Sequence, residues 1–270
     1  MTESKKKLNV SLIVGGDYHD LDYVRHRLLG FLLEIPNLRT RCFESFDDID
    51  EICDADFLIT YTCNVVPRPE QVPHLRDFLI SGKRWLALHG TNSWLALNEN
   101  KEWYTPSGHE EYFKLLGSQF SAHPPIEPYI VRVIDNDHIV SEGCDDFEVE
   151  GGDELYYMHM FGKVRILMEA VTQGEARGFA EREWEAGMRH PVVYEKTIEN
   201  GAILYCTLGH RRGHWDMKPL TDYYKKEELG AWELPIFDKI IRNSIKWLLK
   251  NNYQAQIISK SLTCNTIPAD

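Results

Sequence analysis

Short apolar runs alternate with stretches of helical periodicity through the first half of the chain, and this alternation restricts the fold more than any other feature. Leu8 to Val14 is an apolar run closed by Gly15-Gly16, and Tyr23 to Ile35 places Val24, Leu28, Leu32 and Ile35 on one helical face before Pro36. Leu38 to Phe43 and Asp56 to Thr62 read as strands. Glu70 to Ile80 reads as a helix, with Pro69 near its start and Gly82 past its end. Trp85 to Leu88 is a further buried strand ending at His89-Gly90. Strands alternating with helices imply a parallel sheet covered on both faces.

The second half is less regular. His109 to Leu116 reads as a short helix closed by Gly117, and Tyr129 to Ile134 and Val164 to Met168 as strands. Pro191 to Glu195 and Ala202 to Thr207 read as a hairpin turning at Asn200-Gly201, and Pro235 to Leu249 as an amphipathic helix. No composition break divides the chain. Residues 1–250 are expected to form one α/β domain, and residues 251–270, polar and without period, a C-terminal tail.

Charge narrows the function classes. Thirty Lys+Arg against 42 Asp+Glu give a formal net charge of −12 over 270 residues, which offers nucleic acid no basic footprint. No apolar run reaches the roughly 20 residues needed to span a bilayer, and no long apolar stretch follows the first lysines as in an export signal. The six cysteines are scattered without a Cys-x-x-Cys pair, as expected of free thiols in a cytoplasmic protein.

In an open parallel sheet, ligands bind beyond the carboxyl ends of the strands. His19 follows the first strand, His89 ends a later one, and His210 lies just past Leu204 to Thr207, so three histidines distant in sequence converge on one crevice. Each alone is better read as a hydrogen-bonded structural residue; the three together raise acid/base or metal-ligating chemistry to an equal footing. Asp153 and Glu154 add two carboxylates to orient a histidine or accept hydroxyls, and Tyr156 adds a donor. His19 and His123 would bind substrate or metal, and His159, Trp94 and Trp215 complete the expected substrate-binding set, aromatic faces beside acidic groups suiting a sugar. Gly15-Gly16 lacks the third glycine of a dinucleotide fingerprint and the Gly-Lys-Ser/Thr of a P-loop, so a nucleotide site is rejected. His210 and His214 have the spacing of a zinc helix, but Gly213 argues for a loop there. No metal is assigned; a divalent ion such as zinc is left open. An acidic rim at Asp17, Asp20, Asp153 and Glu154 would disfavour phosphorylated ligands and suit neutral polyols.

The ordered set Gly-Gly-Asp-Tyr-His-Asp, Leu-His-Gly-Thr-Asn-Ser, Gly-Ser-Gln-Phe-Ser-Ala-His-Pro, Asp-Glu-Leu-Tyr, Pro-Val-Val-Tyr and Tyr-Cys-Thr-Leu-Gly-His resembles the ThuA, or trehalose-utilisation, family from about residue 8 to residue 250. The resemblance implies a flavodoxin-like three-layer α/β sandwich with a mostly parallel central sheet, similar to the class I glutamine amidotransferases. It also implies a role in carbohydrate metabolism beside dehydrogenases that make keto-sugars. Amidotransferases carry a nucleophilic cysteine on a strained strand-to-helix elbow. That elbow falls at Leu88-His89-Gly90-Thr91, which has no thiol, so a glutaminase is not expected.

The resulting expectation is a hydrolase, lyase or isomerase acting on a sugar or keto-sugar, with His89, His210, Asp153 and Glu154 as catalytic residues. Its partner would be a small carbohydrate, not nucleic acid or membrane, and the assembly could be a homo-oligomer. The alternative is a non-catalytic sugar-binding or regulatory protein on the same fold.

Overall fold

The computed structural model describes residues 7–263, with side chains through residue 250. The first elements are β1 (Leu8–Gly16), α1 (Leu21–Leu33), β2 (Leu38–Phe43), α2 (Ile49–Cys53), β3 (Phe57–Cys63), α3 (Val72–Ile80) and β4 (Arg84–Leu88). Two short strands, β5 (Ala96–Leu97) and β6 (Trp103–Tyr104), precede α4 (Glu110–Leu116) and β7 (Ser118–Ala122). Then come β8 (Ile130–Val133), β9 (Phe147–Glu148), β10 (Tyr157–Met160), β11 (Arg165–Val171), β12 (Arg189–Ile198), β13 (Gly201–Cys206) and α5 (Pro235–Thr263).

Among the described residues, nine strands form one sheet in the order β2-β1-β3-β4-β13-β12-β11-β8-β9. The pairings from β2 across to β13 are parallel, whereas those from β13 to β9 are antiparallel. The sheet is therefore mixed, half parallel and half antiparallel, which corrects the expectation of a mostly parallel one. The reason lies in the connections. Helices carry the chain back between the early strands, but β12 and β13 are joined by a two-residue turn that can only reverse direction. That hairpin was expected, though its turn falls on Glu199 and Asn200, with Glu199 at φ +51°.

Alternating strand residues feed two separate cores. Val10, Leu12, Ile59, Leu86 and Leu88 point to the face covered by α1 and α5, with Val24, Leu28, Ile240 and Ile241 against them. Leu58, Trp85, Ala87, Ile203 and Tyr205 point to the opposite face, against Ile52, Leu75, Leu79 and Leu116 of α2, α3 and α4. Apolar residues thus lie on both sides of each central strand, which is why those strands read as continuous apolar runs.

The C-terminal helix runs to Thr263, so the backbone of residues 251–263 of the expected tail is helical; residues 264–270 lie outside the described residues. Among the described residues, no helix is long and apolar enough to cross a membrane.

One core residue makes stability depend on pH. His190 on β12 is buried, stacks on Tyr157 with ring centroids 4.4 Å apart, and shares a 2.9 Å hydrogen bond between its Nε2 and Thr172 Oγ1. Burial pushes its pKa from 6.5 down to about 4. Between those values the unfolded chain binds a proton that the folded chain does not, so stability falls as pH falls through that window. His190→Gln is expected to lose this part of the acid slope, on the order of 2 kcal/mol between pH 7 and pH 4.5. Urea unfolding of both proteins at the two pH values measures it; identical slopes would clear His190 of the role.

Candidate functional site

The parallel strands β1, β3, β4 and β13 all end at the same edge of the sheet, and their C-terminal loops build the site. The winding direction changes between β1 and β3, which leaves a crevice at that edge. Gly15 and Gly16 serve strand packing there: a Cβ on Gly15 would lie 1.9 Å from the carbonyl oxygen of Glu44, and one on Gly16 1.8 Å from that of Cys63. The pair lets neighbouring strand ends approach, and Asp17, Tyr18 and His19 follow directly into the crevice.

His89 follows β4 at φ +43°, a left-handed conformation that costs a non-glycine residue about 1–3 kcal/mol. Neighbours hold it there. Tyr205 donates its hydroxyl hydrogen to the His89 carbonyl oxygen, and Tyr61 stacks on the imidazole at 5.6 Å. Gly90 is obligatory at this bend, because a Cβ would come within 2.5 Å of the Thr62 carbonyl oxygen. His210 follows β13 through Thr207-Leu208-Gly209. Glu154 arrives from the segment between β9 and β10, on the antiparallel side of the molecule.

These side chains meet in the interior. His19 Nε2 lies 2.9 Å from His89 Nε2. Glu154 places Oε2 3.4 Å from His89 Nε2 and Oε1 3.2 Å from His210 Nδ1. His123 Nε2, at 3.5 Å, and an Arg212 guanidinium nitrogen, at 3.3 Å, also face Glu154 Oε1. His19, His89, Glu154 and His210 are all buried, and one ligand-type atom from each fits within a 4.8 Å span.

The outward-facing nitrogens are tied down as well. His19 Nδ1 lies 2.9 Å from the Asp17 carbonyl oxygen and His89 Nδ1 2.7 Å from that of Thr207, so both Nδ1 atoms donate. His210 Nε2 lies 2.9 Å from Glu228 Oε2, which Arg212 also engages at 2.6 Å. Burial lowers the pKa of His19 well below the ordinary value, reinforced by His89 and His210, and burial lowers that of His210 too. For Glu154, burial works against ionisation, but His210, His123 and His89 outweigh it and hold the carboxyl well below the usual range.

A cavity of about 290 Å³ opens onto this cluster. His19, His123, Glu154, Tyr156 and Arg212 line its floor, and Tyr18, Trp103, Phe120 and Phe179 form its aromatic walls. Cys63 also reaches it, but burial and the nearby Glu154 and Asp17 carboxylates push the thiol far up, so it is not an activated nucleophile.

A family model described as trehalose utilisation, ThuA, matches residues 39–225. The chain belongs to the ThuA family. The matched stretch carries His89, His123, Glu154, His210 and Arg212, while His19 and Glu228 fall outside it. Similar solved structures include a ThuA-like protein from Bacteroides uniformis, 15% identical, covering 92% of this chain and 94% of that one at a TM-score of 0.61. A ThuA-like protein from Parabacteroides merdae is 18% identical, with 88% of each chain covered and a TM-score of 0.56. A β-galactosidase from Bacillus circulans sp. alkalophilus is 12% identical at a TM-score of 0.52; the match covers 93% of this chain but 32% of that one. At these identities the likeness is one of fold. No curated protein matches the chain.

Several expected site residues of this ThuA protein take other places. Trp94 packs against His109, with ring centroids 5.0 Å apart, on the side of the second core. Trp215 is two-thirds exposed and packs edge-on against Tyr223. His159 sits on β10, half-exposed, with Nε2 2.7 Å from Glu181. His214 donates Nδ1–H to the Tyr224 carbonyl oxygen and stacks on Tyr223, and among the described residues it is not one of those whose ligand atoms gather with His210. The acidic rim is also corrected. Asp17 and Asp20 line a neighbouring hollow, and the cavity itself carries Lys101, Arg177 and Arg212 beside Glu154. With three cationic side chains on its lining, the cavity does not repel a phosphorylated ligand.

Asp153 is corrected from catalytic to positioning. Its buried carboxylate accepts hydrogen bonds from the backbone N–H groups of Glu154 (2.8 Å), Gly209 (3.0 Å), His210 (3.2 Å) and Ala231 (2.8 Å). It thereby clamps the loop that presents His210, and Asp153 is not among the residues lining the cavity. Sequence reasoning missed Arg212, Glu228 and Phe179; the arginine and glutamate lacked a motif, although Arg212 stands two residues from a proposed site histidine. Asp153→Ala would leave four buried donors without an acceptor and is expected to cost on the order of 3–5 kcal/mol. Thermal unfolding measures this, and a loss under about 1 kcal/mol would deny Asp153 the clamping role.

Proposed function

We propose that the protein is a trehalose-utilisation-type enzyme that transforms a sugar or keto-sugar by proton transfer, without a cysteine nucleophile, on a flavodoxin-like, amidotransferase-like sandwich. The observation that carries this reading is the position of His123. Its Nδ1 lies 2.7 Å from the Pro124 carbonyl oxygen, which can only accept, so Nδ1 keeps a proton and Nε2 is the nitrogen left to take one up or give one away. That Nε2 lines the cavity 3.5 Å from an ionised, buried carboxylate oxygen of Glu154.

This is the arrangement of a general base with its charge partner. A proton taken from substrate by Nε2 creates an imidazolium that Glu154 stabilises. Next to a carbonyl, the electron pair of the broken C–H bond moves onto the carbonyl oxygen as an enolate. Arg212 lies on the same floor as a permanent positive charge for a developing oxyanion. Returning the proton to the former carbonyl carbon, while the α-hydroxyl proton passes to the enolate oxygen, isomerises the sugar; collapse of the enolate with loss of a substituent from the β-carbon, which leaves with the bonding electron pair, eliminates it. The aromatic walls at Tyr18, Trp103, Phe120 and Phe179 offer apolar faces to the C–H side of a sugar ring. His89 and His210 do not line the cavity and act through the groups in front of them. The elbow that carries a nucleophile in amidotransferases carries His89 instead, in the left-handed conformation such a bend requires.

The test is incubation with trehalose, other disaccharides and their 3-keto derivatives, followed by NMR. Turnover of at least one is expected, with His123→Ala reducing kcat by about 100-fold or more in protein that remains folded by circular dichroism. Tight sugar binding with no turnover would make the protein a binder, and unchanged kcat in His123→Ala would remove the residue from the chemistry.

A further inference from the structure

We propose that His19, His89, His210 and Glu154 form a binding site for one divalent transition-metal ion, zinc or a first-row neighbour. The protons of the three imidazoles carry the inference. His19 and His89 must each hold a proton on Nδ1, because each Nδ1 faces a backbone carbonyl oxygen at hydrogen-bond distance, 2.9 Å to Asp17 and 2.7 Å to Thr207. His210 donates Nε2–H to the Glu228 carboxylate at 2.9 Å. The nitrogens left over are His19 Nε2, His89 Nε2 and His210 Nδ1, and all three turn their lone pairs inward.

Two of those lone pairs oppose each other at 2.9 Å, between His19 Nε2 and His89 Nε2. The third, His210 Nδ1, is buried and has no hydrogen-bond partner. The Glu154 carboxylate lies 3.2 Å from it and, ionised, also only accepts. A proton shared between His19 and His89 would satisfy that pair but leave His210 Nδ1 unpaired. A single cation satisfies all four groups at once.

The dimensions agree. The four donor atoms lie within 4.8 Å of one another. In a tetrahedral zinc site with bonds of about 2.0–2.1 Å, neighbouring ligand atoms are about 3.3 Å apart. Each imidazole also has the outer partner that metal-binding histidines require: two carbonyl oxygens, and a carboxylate that Arg212 braces in turn. Three imidazoles and one carboxylate favour a transition metal over calcium or magnesium, which prefer all-oxygen sites. His19 and Glu154 line the cavity as well, so the ion would face whatever binds there. Binding of the ion does not depend on the sugar chemistry proposed above, and its test uses no substrate.

The full chain is stripped with a chelator, loaded with Zn²⁺ or Co²⁺, passed through gel filtration and analysed for metal content. Co²⁺ additionally reports coordination through its visible absorption. One ion per chain is expected, with bands of a four- or five-coordinate nitrogen and oxygen site. His19→Gln is expected to lose stoichiometric binding, and Glu228→Gln to weaken it about 10- to 100-fold by releasing the His210 ring. His74→Ala, which removes an exposed imidazole outside the cluster, is expected to bind as the parent does. Retention of no ion by the parent protein would overturn the proposal without recourse to any variant. Parent-like affinity in both His19→Gln and Glu228→Gln would overturn it equally.

Discussion

An ionised carboxylate in a protein interior costs several kcal/mol unless its oxygens are paired, and Glu154 is such a group. Its two oxygens face His89, His123, and the pair His210 and Arg212, which come from three separate segments of the chain. Glu228 closes the network by engaging His210 and Arg212 together. Each partner is needed by the others, so the loops after β4 and β13 and the segments around His123 and Glu154 are locked into one arrangement. The cavity keeps its shape because its floor is a network of buried charge and not a set of independent side chains.

The mixed sheet makes that network reachable. Its parallel half brings the ends of β1, β3, β4 and β13 to one edge and so supplies His19, His89 and His210. Its antiparallel half returns the chain across β12, β11 and β8, and the segments beside it deliver His123 and Glu154 from the other flank. The hairpin at Glu199 and Asn200 lies at the opposite edge, where β4 and β13 begin, and reverses the chain so that β13 runs parallel to β4 toward the crevice. The strained backbone at His89, held by Tyr205, Tyr61 and the close approach at Gly90, points the imidazole into the space between these two halves.

Much of this was legible in the residues. Periodicity located β1, α1, β2, β3, α3, β4 and the β12–β13 hairpin, because strands buried on both faces and amphipathic helices leave distinct apolar patterns. The strand-end rule placed His19, His89 and His210 together with no further information. Short elements such as β5, β6, β9 and β10 escaped, since two to four residues carry too little pattern to read. Trp94, Trp215 and His159 were misplaced for a related reason: residues near a site in sequence face it only if the local backbone turns them that way. Asp153 and Glu154 show how fine that distinction is. They are adjacent carboxylates, yet one turns back to clamp backbone N–H groups and the other turns into the histidine cluster.

By itself, the sequence determined the α/β class, the family and the convergence of three histidines at strand ends. These follow from local spacing and from the connection rules of parallel strands, which act over a few residues at a time. Only the tertiary structure decided that half the sheet is antiparallel, that Glu154 and not Asp153 enters the site, and that Arg212 and Glu228 complete it. It also decided which nitrogen of each imidazole faces inward, because that depends on carbonyl and carboxylate partners contributed by other segments. Proton positions and charge pairing are properties of the assembled interior, where low solvent access makes every unpaired group costly, and no local pattern encodes them.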